Sequence, residues 1–396
     1  MIKKIIKYFS VITAPIFILV LLECMTVGSM PDKIYVNKSI DVASSNLITT
    51  SRFNKVKLVK DKISVNLLGV LPVKQVAVQQ VEGLEVYPGG TSIGVKISNK
   101  GAMVVGYSDI ETSDGVMESP GKLAGIQLGD IIEEVNGKKV NSCSDLISTI
   151  KSCRNADIQL KLLRDNDEII KKMQILKEGN EYKIGLWVRD STAGIGTLTF
   201  YDKDSKVFGA LGHPITDGDT NTSFNIKSGK LLRSSVLSIK KGERGNPGEL
   251  KGLFVNENDT IGTIEKNLDS GIYGEAKASL INDNFSKPMP VGFRNEIKEG
   301  HAQIITTIND EGPKAYDIEI IKLLQQDKPG SKSMVIKITD QQLLEKTGGI
   351  VQGMSGSPII QNGKIVGAVT HVLINKPDVG YGIYIEWMLQ DAGIIK

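Results

Sequence analysis

The chain has 396 residues, 40% of them hydrophobic and 23% charged, which is enough for two or three domains with full cores. Its 41 glycines favour a turn-rich, mainly β architecture, and a 5% aromatic share offers no stacking platform for bases. The net charge is +3, of which the first thirty residues carry +2 (Lys3, Lys4 and Lys7 against Glu23), so the body has no basic surface of the kind that binds nucleic acid.

The first thirty residues differ in kind from the rest. Lys3, Lys4 and Lys7 precede an uncharged run from Val11 to Leu22, the layout of an export signal or signal anchor over 1–30. The run is short against the roughly 20 apolar residues of a spanning helix. Val27-Gly28-Ser29 offers a small-residue cleavage site, whereas Leu22-Glu23-Cys24 fits a lipoprotein signal only loosely. The body is therefore expected outside the cytoplasm. Residues 31–87 read as stalk and linker, with short apolar stretches at Ile63–Leu68 and Val76–Val78. Within them Ser44–Lys62 is polar and basic, an exposed segment open to proteolytic nicking.

Residues 88–178 pattern as a compact domain. A glycine-led loop runs into the strand Ser92-Ile93-Gly94-Val95-Lys96-Ile97, and Val104–Tyr107 is a second strand. Ser119-Pro120-Gly121-Lys122-Leu123-Ala124-Gly125-Ile126 then predicts a short helix, Gly129-Asp130 a turn, Ile131–Val135 a strand and Asn136-Gly137 a hairpin turn. A helix follows around Asp145–Ser152 and a strand at Ile158–Leu163. Cys143 and Cys153 flank that helix. Ten helical residues at about 1.5 Å each separate the thiols by about 15 Å, too far for a disulfide. No Cys/His cluster has the spacing of metal ligands, so neither metal nor cofactor is expected.

From 182 to the end, helical periodicity is scarce. Ile195–Phe200 alternates like a half-buried strand, and Asp-Gly, Gly-Asp, Asn-Asp and Asn-Gly pairs punctuate the rest. The pattern predicts a β-barrel or sandwich, with a short terminal helix near Ile385–Leu389.

The chemistry centres on Gly353-Met354-Ser355-Gly356-Ser357-Pro358. A serine nucleophile needs a tight turn, a proton acceptor and backbone amides where the oxyanion forms. Here Ser355 supplies the hydroxyl, and the Gly353 and Ser355 amides the oxyanion site. Ser357 is the weaker candidate nucleophile. Of the three histidines, His213 ends the apolar strand Val207–Leu211, at the rim of a barrel, and is the expected base. His301 reads as a solvated loop residue. Thr370 and His371, on the strand after the nucleophile turn, read as a substrate-groove wall, with His371 a fallback base. Nine aspartates lie between His213 and Ser355, and spacing cannot choose among them as the orienting carboxylate.

Three resemblances follow from these motifs. The run Ser-Pro, Ala-Gly-Ile, Gly-Asp-Ile-Ile, Asn-Gly over 88–178 resembles a PDZ domain of the bacterial protease-associated type. Such domains add an extended peptide as a strand, and the resemblance implies that the Ser92, Ile93, Gly94 and Val95 amides cradle a terminal carboxylate. Gly-x-Ser-Gly-x-Pro followed by strand-turn-strand resembles the nucleophile region of chymotrypsin-like peptidases. The leader, a PDZ domain before the catalytic part, Gly-Ala-Leu-Gly-His and Thr-Gly-Gly-Ile-Val-Gln-Gly-Met-Ser-Gly-Ser-Pro together resemble the sporulation stage IV protein B serine peptidases. High-temperature-requirement proteases carry PDZ after the catalytic domain instead.

The resemblance implies a mainly β fold: signal anchor 1–30, stalk and linker 31–87, PDZ domain 88–178 and chymotrypsin-like double β-barrel 182–396. It implies a His213–Asp340–Ser355 triad, although an aspartate so close to the serine departs from the chymotrypsin pattern. It also implies a setting. The enzyme faces the space between the two forespore membranes, cleaves itself and then a membrane-bound protease regulator, and so triggers sigma-factor activation. The alternative is a PDZ adaptor with an inactive protease-like barrel.

Overall fold

The computed structural model describes residues 31–38, 54–59, 61–67 and 70–395, apart from 154–156, 166, 257–258, 325 and 327, together with the single positions Ile18, Leu21 and Val27. Strands β1 (Lys33–Asn37), β2 (Asn54–Val59), β3 (Lys62–Leu67) and β4 (Leu71–Val81) form a sheet in the order β1-β4-β3-β2. Alternation builds it: Ile63 and Val65 of β3 and Val76 and Val78 of β4 are buried, while Lys62 and Gln75 face solvent. This corrects the stalk expected over 31–87, because β2 and β3 pair antiparallel, Asn54 opposite Leu67. Residues 39–53 and, apart from the three single positions, the leader expected over 1–30 lie outside the described residues. Among the described residues no helix is long and apolar enough to cross a membrane.

After β5 (Glu85–Pro88) comes β6 (Ser92–Tyr107), a strand of 16 residues that serves two modules. Its first half buries Ile93, Val95 and Ile97, and its second half Ala102, Met103 and Val104. Gly101 sits at the changeover with φ +95°, where a Cβ would lie 2.5 Å from the Ile132 carbonyl oxygen, so only glycine fits. The second half enters a PDZ-like unit. Hairpin β7 (Ile110–Thr112)–β8 (Gly115–Met117) is followed by α1 (Pro120–Leu123), capped by Ser119 with proline in its first turn. Next come β9 (Ile131–Val135), β10 (Lys138–Lys139) and α2 (Cys143–Ser152), whose Ser142 cap accepts from the Asp145 amide. Helix α2 turns Leu146 and Ile150 into the core, and free Cys143 and Cys153 stand at its two ends. Strands β11 (Asp157–Arg164) and β12 (Asp167–Gln174) extend the sheet to β12-β11-β9-β6, and hairpin β13 (Leu176–Glu178)–β14 (Glu181–Lys183) closes the unit.

Strand β15 (Leu186–Tyr201), also of 16 residues, runs antiparallel to β6 from Leu186 opposite Tyr107 to Thr197 opposite Ser92. With β16 (Val207–Ala210), β17 (Ile226–Lys240), β19 (Thr260–Leu268) and β20 (Gly271–Ala276), the barrel ends of β6 and β15 close a six-stranded ring, β6-β17-β19-β20-β16-β15. Strand β18 (Glu249–Phe254), which precedes β19 in the chain, pairs with β17 at the side of the ring. Short β21 (Met289–Pro290) pairs with β5. A second closed barrel follows, ordered β22-β23-β24-β27-β26-β25 from β22 (Gly300–Thr306), β23 (Lys314–Leu323), β24 (Met334–Ile338), β25 (Pro358–Gln361), β26 (Lys364–Leu373) and β27 (Lys376–Tyr384). Between β24 and β25 lies α3 (Gln341–Thr347), and α4 (Ile385–Ala392) seals the barrel with Ile385, Met388 and Leu389. Strand β1 joins this core: Tyr35 is buried, stacks on Phe293 at 5.9 Å between ring centroids, and accepts from Gln390 Nε2 at 2.9 Å.

The double barrel expected from the sequence is present, but the division between domains is not the expected one. The expected boundaries, 88–178 and 182–396, cut through a ring whose β6 comes from the first span. Residues Ser92–Val95 are likewise corrected. They lie inside the first barrel, paired on one edge with Thr197–Gly194 of β15 and on the other with β17, Ile93 opposite Arg233 and Val95 opposite Leu231. With both edges taken, their amides are not available to a carboxylate.

Candidate active site

The Gly353–Pro358 turn sits between the two barrels. Met354 is fully buried in the second core and anchors it. Gly353 and Gly356 both have φ +96°, the left-handed region that favours glycine. A Cβ on Gly356 would lie 2.1 Å from the Thr197 carbonyl oxygen, so the first barrel presses directly on the turn. Amides on either side of the key positions are used: Met354 donates to Val351 O, Gly356 to Val369 O and Ser357 to Met354 O. Among the described residues no acceptor meets the Gly353 or Ser355 amide. This is the free pair an oxyanion requires. Ser357 is buried and its hydroxyl donates to the Met354 carbonyl at 2.7 Å, a structural role. Ser355 Oγ donates to the Thr370 carbonyl at 2.9 Å.

His213 reaches the same cleft from the first barrel. After β16, Leu211 and Gly212 take consecutive positive φ of 70° and 72°, which swings the chain outward. Strain of this kind clusters at functional sites. Gly212 packs where a Cβ would meet Thr370 Cγ2 at 2.8 Å, so its lack of a side chain lets the barrels approach. His213 Nδ1 lies 2.8 Å from the Pro214 carbonyl oxygen. A carbonyl only accepts, so Nδ1 carries the proton and Nε2 keeps its lone pair. Burial holds the His213 pKa below the usual 6.5, against a smaller upward pull from the Pro214 carbonyl. The ring is thus neutral near pH 7, the form in which Nε2 accepts a proton.

His371, on β26, has its ring centroid 5.2 Å from that of His213. Its pKa is pushed down to about 4, by burial first and then by His213 and Lys332. Among the described residues, no hydrogen-bond partner meets the buried His371 Nδ1. Ser355, His213, Thr370 and His371 line one cleft of about 990 Å³, whose other walls include Leu250 and Phe254. His301 is exposed on strand β22 rather than in a loop, 3.9 Å from Asp317, and stands apart from the cleft lining.

Asp340 is not placed as a triad would need. It is the N-cap of α3, its Oδ1 accepting from the Leu343 amide at 2.8 Å, and its own N–H donates to Asp317 O. A helix start leaves amides without partners, and a short carboxylate satisfies one. Among the described residues the hydrogen bond at His213 Nδ1 is the one to Pro214 O, a backbone group that no side-chain spacing announces. Among the described residues no group of three or more His, Cys, Asp or Glu could hold a metal ion.

A peptide-sized groove does exist in the PDZ-like unit, away from Ser92–Val95. The barrel-distal end of β15, Leu186–Val188, pairs with β6 on one edge only. It lines a cavity of about 470 Å³ with Leu146, Ile147 and Ile150 of α2. Trp187 is 64% exposed there, which marks an apolar surface left open. The signal in the sequence was Ile184-Gly185-Leu186, a second glycine-led entry into a strand.

The family model described as SpoIVB peptidase S55 matches residues 180–389, and that for a PDZ domain matches 112–164. Curated relatives include the probable CtpA-like serine protease of Staphylococcus aureus strain N315, 21% identical over 257 residues, 61% of this chain and 47% of that protein. The probable CtpA-like serine protease of Staphylococcus saprophyticus is 22% identical over 288 residues, 67% of this chain and 52% of its own. The chain spans about half the length of these relatives. Among solved structures, the active form of the Rv3671c protease from M. tuberculosis is 13% identical with a TM-score of 0.30, over 52% of this chain and 76% of that one. Its inactive form is 13% identical with a TM-score of 0.29, over 50% and 84%. A family match over more than half of the residues, on a double barrel with a glycine-flanked serine turn and a buried histidine lining one cleft, places this chain in the SpoIVB peptidase S55 family, with a PDZ domain in its first half.

Proposed function

We propose that Ser355 is the nucleophile, His213 the general base and the Gly353 and Ser355 amides the oxyanion site. The observation that carries this reading is the convergence of Ser355, His213 and two unfilled amides on one cleft. Ser355 Oγ rotates away from the Thr370 carbonyl toward His213 Nε2. It gives up its proton as it bonds to the substrate carbonyl carbon, and the oxygen of that carbonyl gathers charge against the two amides. His213 then protonates the leaving amine, and water releases the acyl group by the same route. The Pro214 carbonyl holds the imidazole in the tautomer this needs. Thr370 and His371 form the groove wall.

The same proposal covers the setting. The enzyme starts anchored through its N-terminus and faces the space between the forespore membranes. There it trims itself and then cleaves a membrane-bound protease regulator, which leads to sigma-factor activation. The groove between α2 and β15 takes an extended peptide of such a target as an added strand. The test is the 396-residue chain beside Ser355→Ala, with a fluorophosphonate label and N-terminal sequencing. Labelling at Ser355 with trimming in the wild type only supports the proposal. Identical unlabelled products from both overturn it.

A further inference from the structure

The loop that carries His213 is held from the PDZ side. Four residues beyond His213, Asp217 has a fully buried carboxylate. Its Oδ1 accepts from the amides of Asp219 and Thr220 and from the Thr220 hydroxyl, which closes the turn. Its Oδ2 is ion-paired to Arg189, which also reaches Asp219 at 3.0 Å. Arg189 belongs to the half of β15 that lies against the PDZ-like unit, opposite Met103 of β6. The next residue, Asp190, accepts from the amide of Cys143, the first residue of α2, at 2.7 Å. Gly129 of the PDZ-like unit has φ +89° and packs where a Cβ would lie 2.3 Å from Thr222 Oγ1, at the far end of the histidine loop. The loop is thus wedged between β15, β6 and the PDZ-like unit, and an ion pair between the buried Asp217 carboxylate and the part-exposed Arg189 guanidinium fixes its middle.

We infer that Arg189 and Asp217 are positioning residues for His213, so that the strand forming one wall of the peptide groove also sets the place of the catalytic base. This rests on the peptidase reading with His213 as base. A carboxylate buried with its acceptors filled by one turn and one guanidinium has a single place to sit. Removing the guanidinium leaves it uncompensated and frees the loop. Displacement of a base by about 1 Å is enough to cost about a hundredfold in rate. It also hydrates the imidazole, whose low pKa is owed to burial. The groups facing His213 are His371 and the Pro214 carbonyl, and those facing Asp217 are Arg189 and the Asp219–Thr220 turn. None of the remaining partners replaces the guanidinium.

The test is the rate of fluorophosphonate labelling of the 396-residue chain as a function of pH, with thermal unfolding measured in parallel. Wild type, Ser355→Ala and His213→Ala come first. If the wild type is not labelled, or His213→Ala labels as fast as wild type, the peptidase reading itself fails. With that reading in place, Arg189→Gln is expected to label roughly ten- to a hundredfold more slowly, with the midpoint of its pH curve moved upward toward an ordinary histidine. Arg189→Lys, which keeps the charge, is expected to recover part of both. The inference is overturned if Arg189→Gln matches wild type in rate and midpoint. It is overturned equally if the rate falls only in proportion to the folded fraction while the midpoint stays put.

Discussion

The Thr197 amide donates to the Ser355 carbonyl at 3.0 Å, and the Thr197 hydroxyl donates to the Gly353 carbonyl at 2.7 Å. One buried residue of the first barrel therefore holds the carbonyls of both residues, Gly353 and Ser355, whose own amides are left without an acceptor among the described residues. Thr197→Val keeps the shape and removes the second bond, leaving the Gly353 carbonyl short of a donor. The expected result is a loss of about 1–3 kcal/mol of stability, read by urea unfolding, and a fluorophosphonate labelling rate lowered about tenfold.

Gly353→Ala tests the proposed oxyanion site separately. The new methyl group must take φ +96° and press on Leu250 Cβ at 3.0 Å, so the 353 amide moves. Loss of one such donor costs about 10²–10³ in rate. The variant should hydrolyse a peptide substrate that slowly while a melting curve still shows a folded protein. Ser355→Ala removes the proposed nucleophile and should abolish labelling.

Asp340→Ala separates capping from catalysis. As the N-cap of α3 its carboxylate stabilises by about 1 kcal/mol. The variant should unfold at a lower denaturant concentration by that amount, and its labelling rate and pH midpoint should equal those of wild type. A rate loss of a thousandfold or more in the folded variant would place Asp340 in the catalytic apparatus after all.

Stability should fall as the medium becomes acidic. His213 and His371 both have folded-state pKa values below 6.5, His371 at about 4. The unfolded chain therefore takes up protons as pH drops through 6.5 while the native state does not, and stability is lost between about pH 6.5 and 4. Denaturation midpoints measured from pH 7.5 to 4.5 should decline, and His371→Asn should flatten the slope.

Much of the candidate site was legible because it is local. Two glycines around a serine, followed by a proline and a strand, define the turn within six residues, and a histidine after a strand ending in glycine defines its partner. The PDZ-like unit was legible for the same reason, since Gly129-Asp130 and Asn136-Gly137 fix turns on their own. What failed was long-range. Ser92–Val95, behind its glycine-led loop, reads as a carboxylate cradle, yet its strand partners are about a hundred residues away in β15 and further still in β17 and take up both of its edges. Asp340 carries a helix-start signal, followed by Gln341–Thr347 and Gly348, and family resemblance outweighed it. The Pro214 carbonyl and the Arg189–Asp217 pair leave no mark in sequence at all, because a backbone acceptor has no residue type and an ion pair needs the fold to bring its halves together.

Strand β1 bears on how such an enzyme would leave its tether. It pairs in parallel with β4, Lys33 opposite Ala77, and Tyr35 is sealed under Phe293 and Gln390. A nick on the C-terminal side of β1 would therefore behave as fragment complementation does: two pieces, one folded body, and the upstream piece still gripped. Liberation requires scission before Lys33, so the self-trimming proposed above has to fall upstream of β1 to set the protease free.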